Sequence, residues 1–140
     1  MQDSIVVSVI IATYNMRPTI GETLDSILSQ PGPDTFEVIV VDDGSTDGTG
    51  DFLREKYGER IRYIYQENKG RAAARNAGFA VSHGKYIQFF DADDIMEPNA
   101  LGARLAFLQE NLDYAVAYGS VVVFMEDDPT HFWEHAFKPY

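Results

Sequence analysis

Apolar runs alternate with helical spacings along most of this chain. Val6 to Ala12 is a nearly continuous run rich in β-branched residues, as expected of a strand buried on both faces. Pro18 comes next, then Thr19 with Glu22 three residues on, the spacing of a capping box. Ile20, Leu24, Ile27 and Leu28 fall on one helical face, and Pro31-Gly32-Pro33 stops that helix. Phe36 to Val41 predicts a second buried strand, ending in Asp42-Asp43-Gly44. Ser45, Thr46 and Asp47 are helix-capping types, and Phe52, Leu53 and Lys56-Tyr57 mark a short helix after them. Ile61 to Tyr65 alternates as a third strand, and the alanine-rich stretch Arg71 to Val81 predicts a helix. Gly84 breaks the chain before a fourth strand, Tyr86 to Phe90. Pro98 opens another helix with Leu101, Leu105 and Leu108 on one face, and Tyr114 to Phe124 predicts a fifth strand.

A βαβαβαβαβ order implies an α/β fold: a three-layer, doubly wound, mostly parallel sheet with right-handed crossovers. Such sheets bind ligands at the carboxyl ends of their strands. Three polar loops occupy those ends here, Thr13-Tyr14-Asn15, Asp42-Asp43-Gly44 and Asp91 to Asp94. They are expected to converge on one rim, and that convergence is the main functional signal.

Composition narrows the chemistry. The 140 residues suit a single domain, and 45% hydrophobic content suffices for a core. The apolar run from Ile5 to Ala12 is broken by Ser8 and is too short to span a bilayer. No basic segment precedes it, against a secretory signal. The absence of cysteine excludes disulfides, thiolate metal sites and cysteine nucleophiles, and fits a cytoplasmic setting. A net charge of -11 argues against nucleic acid or an anionic membrane surface as partner. An acidic protein that binds phosphates needs local positive charge, from placed Lys or Arg, helix N-termini or a bound cation.

Asp91-Ala92-Asp93-Asp94 puts three carboxylates in four residues after an apolar strand. Two unit charges ~4 Å apart repel by roughly 4 kcal/mol at a protein-surface dielectric, so such a cluster favours a cation. Hard oxygen donors select Mg²⁺, Mn²⁺ or Ca²⁺. The plainer alternative is a solvated aspartate turn, which position beside two other polar strand ends disfavours. Of Asp42 and Asp43, one is expected to accept hydrogen bonds from a nucleotide's ribose or base and the other to cap the next helix. Lys69, Arg71 and Arg75 surround a predicted helix start and could approach a diphosphate, or form a solvated helix face. His83, His131 and His135 make no metal constellation with the aspartates. There is no Gly-x-Ser-x-Gly elbow, Walker loop or G-x-G-x-x-G after the first strand.

Five stretches in order carry a resemblance: Val9-Ile10-Ile11-Ala12-Thr13-Tyr14-Asn15, Ser26-Ile27-Leu28-Ser29-Gln30, Val38 through Asp47, Ala74-Arg75-Asn76-Ala77-Gly78 and Asp91-Ala92-Asp93-Asp94. From about residue 5 to about residue 125 the chain resembles family 2 glycosyltransferases of the GT-A fold, whose nucleotide-binding half is Rossmann-like. The resemblance implies transfer from a nucleoside-diphosphate sugar, commonly a UDP-sugar, with inversion at the anomeric carbon. It implies nucleotide contacts at Ala12, Thr13, Tyr14, Asp43, Asp91, Ala92 and Asp93, to which the charges of Lys69, Arg71 and Arg75 add candidate contacts to the diphosphate. It also implies Mn²⁺ or Mg²⁺ at Asp91, Asp93 and Asp94, with Asp93 favoured as the direct ligand. Ala12 stands where the family often has proline, a position that contributes mainly backbone.

The family's general base follows a further acceptor-binding segment, and inverting transfer needs a carboxylate to take the acceptor's proton. Glu126, Asp127 and Asp128 lie in that direction along the chain, but nothing ties them to the role. The expectation is therefore one GT-A domain over residues 1–140 that stops before its acceptor site, with the base beyond Tyr140. Partners expected are the sugar nucleotide and a carbohydrate or other hydroxyl acceptor, with no membrane contact from this segment. Two rivals remain: a non-catalytic sugar-nucleotide-binding module of the same fold, and a phosphatase using Asp91 as nucleophile. The phosphatase pattern sits after a first core strand, whereas Asp91 follows the fourth.

Overall fold

The computed structural model describes residues 5–31 and 36–119, together with the backbone of 121–125 and 128–135. It divides into two compact units between Pro98 and Asn99. The first contains β1 (Val7–Thr13), α1 (Ile20–Leu28), β2 (Phe36–Asp42), α2 (Thr49–Tyr57), β3 (Arg62–Tyr65), α3 (Arg71–Ala80) and β4 (Tyr86–Asp91). Their strands form one parallel sheet in the order β3-β2-β1-β4.

Strand alternation sends neighbouring side chains to opposite faces, and β1 is covered on both. On one face Ile10, Ile39 and Val41 pack with Ala74 of α3, all fully buried. A β-carbon on Gly78 would stand 2.5 Å from Ile10 Cγ2 and 3.3 Å from Val41 Cγ2, so this helix lies directly on the sheet. The opposite face carries Val9, Ile11, Val38 and Val40, none more than 2% exposed. Ile20, Leu24 and Ile27 of α1 and Leu53 of α2 are completely buried as well. These two helices meet where the Tyr57 hydroxyl lies 2.9 Å from both the Gly21 carbonyl oxygen and Asp25 Oδ1, the two acceptors for its one proton. Helices on both faces give the three-layer α/β arrangement.

Chain direction positions the site. From β1 the chain steps outward through β2 to β3, then α3 carries it back to the far side of β1, where β4 pairs. Strand order therefore reverses between β1 and β4, the switch point at which open α/β sheets bind ligands. The register aligns the polar ends, with Ala12 opposite Val41 and Asp91, and Thr13 opposite Asp42.

The second unit holds α4 (Ala100–Glu110), with Leu101 and Leu105 buried, and an antiparallel pair, β5 (Val121–Met125) and β6 (Asp128–His135). Here a sequence expectation is corrected. Residues 114–119 form no strand, and β5 pairs with β6 rather than joining the parallel sheet. Tyr114, Val116 and Tyr118 are 60%, 71% and 62% exposed, so their alternation marks uncovered surface and not a paired strand. The capping box is also corrected. Thr19 precedes α1 but its backbone is already in the helical region (φ -109°, ψ -31°) and not the extended one of a capping residue, and its side chain makes no cap bond; its hydroxyl donates to Ala92 O. Gly32, Pro33, Glu126 and Asp127, and the side chains of Asp128, His131 and His135, lie outside the described residues.

Candidate functional site

The three polar loops meet. The Asn15 N–H donates to Ser45 Oγ at 2.9 Å, Thr46 N–H returns a bond to Asn15 Oδ1 at 2.8 Å, and Arg17 N–H donates to Asp47 Oδ2 at 3.0 Å. Asn15 adopts the left-handed conformation (φ 54°) that lets its amide face the neighbouring loop. Thr13 O accepts the Asp43 N–H at 2.8 Å, extending the β1–β2 ladder into the rim.

The two adjacent aspartates have separate structural tasks. Asp42 is buried; its Oδ1 accepts the Ser45 N–H at 2.8 Å and its Oδ2 the Tyr63 hydroxyl at 2.8 Å. It thus closes the turn after β2 and does not cap α2, whose first turn is met by Asp47 through Thr49 N–H and hydroxyl. Burial and the Asp42 carboxylate push the Tyr63 phenol up to about 12. Asp43, 4% exposed, accepts from Gln66 Nε2 at 2.6 Å, Lys69 N–H at 2.9 Å and Gly70 N–H at 2.8 Å. Burial alone would raise its pKa, but those bonds outweigh it and hold the carboxyl below its usual range. Gly44 has φ 87°, and a β-carbon there would meet Asn68 N at 3.0 Å. That glycine allows the loop before α3 to close over Asp43.

These loops border a cleft of about 260 Å³. Ala12, Thr13, Tyr14, Asp43 and Arg71 line it from the β1, β2 and α3 side, and Asp91, Ala92 and Asp93 from the end of β4. Met16, Asn68 and Gly70, not singled out individually from the sequence, line it too. Lys69, Arg75 and Asp94 do not. Lys69 acts through its backbone N–H on Asp43, with its side chain exposed. Arg75 instead pairs with Asp91, Nη2 to Oδ1 at 2.6 Å, and its Nε is buried without a partner among the described residues. In the cleft wall itself, Thr13 Oγ1, on a residue 2% exposed, is buried without a partner among the described residues.

The acidic loop is held from behind. Ala92 O accepts the Thr23 hydroxyl at 3.0 Å and the Thr19 hydroxyl at 3.3 Å. Met96 N–H donates to Ser26 Oγ at 2.9 Å, and Gln30 Nε2 donates to Glu97 O at 2.9 Å. Desolvation of the Asp94 carboxyl, reinforced by the charges of Asp91 and Asp93, raises its pKa above the usual carboxylate range although the residue as a whole is exposed. Three carboxylates thus share one turn, and among the described residues Arg75 alone is paired to them, an arrangement a hard cation would relieve. No group of three or more ligating side chains is gathered among the described residues. The donors fit a site of the Mg²⁺ type, in which one or two carboxylates are completed by water and phosphate oxygens, and not an all-protein cage.

Fold and cleft together define an α/β domain whose cleft opens at the sheet's switch point. The Glycosyl transferase family 2 model matches residues 8–139, and the chain belongs to that family. Among its relatives, TuaG of Bacillus subtilis strain 168, a glycosyltransferase named for teichuronic acid biosynthesis, is 45% identical over 107 residues, covering 74% of this chain and 42% of the relative. Staphylococcus aureus TarS 1–349, solved in complex with UDP-GlcNAc, superposes with a TM-score of 0.69 at 34% identity, over 77% of this chain and 32% of that one. The mannosyltransferase PcManGT of Pyrobaculum calidifontis, solved with GDP-Man and Mn²⁺, gives a TM-score of 0.60 at 34% identity, over 70% of this chain and 30% of that one. These likenesses bear out the GT-A fold. The chain spans less than half the length of the curated relatives it matches. No described helix is long and apolar enough to cross a membrane.

Proposed function

We propose that the cleft binds the nucleoside-diphosphate part of a sugar donor, a UDP-sugar in first place, and that the whole protein transfers the sugar to a hydroxyl acceptor with inversion. The observation that carries this reading is the pairing of two unlike walls. One holds an ordered carboxylate, Asp43, beside the unpartnered Thr13 hydroxyl, which suits the hydrogen-bonding edge of a nucleobase or ribose. The other holds Asp91 and Asp93, which suit a cation and through it the phosphates. TarS with UDP-GlcNAc and PcManGT with GDP-Man and Mn²⁺ support the same ligand class in relatives of this fold.

Asp93 would be the direct ligand of Mn²⁺ or Mg²⁺, with Asp91 or Asp94 as its partner. When bound, that cation supplies Lewis-acid stabilisation of the departing diphosphate. This chain's own groups bind and orient: Tyr14 and Thr13 at the base and ribose, Ala12 through its backbone, Arg71 toward the diphosphate from the start of α3. Lys69, exposed at the same helix start, adds positive potential. Arg75 keeps Asp91 in one orientation and limits its negative charge. In the transfer, the acceptor oxygen bonds to the anomeric carbon as the bond to phosphate breaks, and the acceptor's proton passes to a carboxylate base outside the described residues. A role in polysaccharide biosynthesis accords with the name of TuaG, which refers to teichuronic acid biosynthesis.

Asp93→Asn tests the reading. It should remove the metal-dependent part of UDP binding while circular dichroism shows the fold intact. Equal UDP affinity in wild type and variant, with Mn²⁺ present, would refute the assignment of the acidic loop.

A further inference from the structure

Four polar side chains of α1 and the residues flanking its two ends recur at helical spacing, Thr19, Thr23, Ser26 and Gln30, and each bonds the backbone of the loop that follows β4. Intervals of four, three and four residues put them on one stripe of the helix. A stripe of this kind beside a fully buried apolar face has to account for its hydroxyls, because a buried hydroxyl without a partner is costly. Thr23 is 1% exposed and Ala92 4% exposed, so their bond is shielded from water.

We propose that Thr23, assisted by Thr19, is a positioning residue for the acidic loop, fixing the peptide between Ala92 and Asp93 so that the Asp93 carboxylate faces the cleft. This rests on the donor-site reading above. The geometric argument is local. Ala92 O belongs to the same planar peptide as the Asp93 N–H. Two hydroxyls converge on that oxygen from α1, at 3.0 and 3.3 Å. With its oxygen held on the α1 side, the peptide plane cannot rotate freely, and the direction of the Asp93 N–Cα bond is set with it, leaving the Asp93 Cα–Cβ bond only rotation about that axis. Further along, Met96 N–H on Ser26 and Gln30 on Glu97 O fasten the loop's exit. Asp91, just before these anchors, is braced by Arg75, whereas Asp93, between them, is exposed on the cleft wall with no side-chain partner among the described residues. Orientation of Asp93 therefore depends on its backbone. Partners one step behind a metal ligand typically change metal affinity 10- to 100-fold when removed.

The probe is UDP with Mn²⁺, titrated calorimetrically into the 140-residue chain, and again in EDTA. Thr23→Val keeps the shape and removes the hydroxyl; Thr23→Ser keeps the hydroxyl. The expected result is an approximately tenfold weaker Mn²⁺-dependent UDP affinity for Thr23→Val, unchanged residual affinity in EDTA, and recovery in Thr23→Ser. Amide hydrogen exchange should quicken over residues 92–97 in Thr23→Val and stay constant in β1 and β2. A purely structural hydroxyl would lower the melting temperature but leave the Mn²⁺-dependent increment intact in the folded variant, and that outcome overturns the proposal. Should Thr23→Val not fold, Thr19→Val takes its place, with a smaller loss of the same increment expected and no loss overturning it. A folded wild type that binds no UDP in Mn²⁺ overturns the donor-site reading, and this proposal with it. A wild type that binds while both valine variants bind equally well overturns the positioning role alone.

Discussion

Replacing Asp43 by asparagine tests whether one buried carboxylate organises the rim. The wild-type side chain accepts three bonds, at 2.6, 2.9 and 2.8 Å, from Gln66, Lys69 N–H and Gly70 N–H. Asparagine has nearly the same shape, but one oxygen becomes an NH₂ group. Its remaining oxygen can keep two donors as neutral bonds, while the NH₂ faces a third donor that it cannot satisfy. Bonds to a charged group contribute about 1.5–3 kcal/mol each, neutral ones about 1, and an unsatisfied buried donor costs about 1–3. At the low end of each of these ranges the net loss is about 3.5 kcal/mol. With a urea slope of ~1.5 kcal/mol/M, the unfolding midpoint at pH 7 should fall by roughly 2 M or more. The pH dependence gives a second arm. Asp43's folded pKa is depressed, so its stabilisation is present above the unfolded value near about 3.9 and is lost as pH falls through the folded value. The gap between wild type and Asp43→Asn should therefore be full at pH 6–7 and close as the pH drops below about 4. Glu37, Asp25 and Asp47 are also depressed, but they titrate in both proteins and cancel in the difference. A midpoint drop under about 0.5 M, or a gap that does not narrow in acid, would refute the reasoning.

Other perturbations separate packing from binding. Thr13→Val removes an unpartnered buried hydroxyl, so the free protein should hold its stability or gain up to ~1 kcal/mol in urea titration, while UDP affinity in Mn²⁺ falls. Gly78→Ala sets helix propensity, worth about 1 kcal/mol in its favour, against a β-carbon 2.5 Å from Ile10 Cγ2; overpacking of about 1–3 kcal/mol should win, lowering the thermal midpoint with nucleotide affinity unchanged. Arg75→Met breaks a half-exposed ion pair, so urea stability should move by less than ~1 kcal/mol, whereas UDP binding in Mn²⁺ should weaken measurably.

The two central strands were legible because each is buried on two faces and so reads as an uninterrupted β-branched run, as in Val9-Ile10-Ile11 and Val38-Ile39-Val40-Val41, whereas the edge strands β3 and β4 are only partly buried. Their order gave the convergence of the polar loops, since parallel crossovers leave successive carboxyl ends on one rim. Less legible were the partners that a side chain chooses across long sequence separations. Thr19 and Glu22 match a capping box, yet the Thr19 hydroxyl turns to Ala92 O, 73 residues away. Arg75 looked like a phosphate-seeking cation, but Asp91 lies close enough to hold it. The pair Asp42-Asp43 suggested one nucleotide contact and one helix cap; the structure gives the turn after β2 to Asp42 and the start of α2 to Asp47. Tyr114 to Tyr118 has strand-like alternation, which is no guide to pairing where those side chains remain exposed.

The most direct test of the donor-site account is calorimetric titration of UDP, with GDP as comparison, into the folded chain in Mn²⁺ and again in EDTA. The account predicts UDP binding that depends on the cation, with a weaker or absent response to GDP. A folded chain that binds neither nucleotide in Mn²⁺ would contradict it.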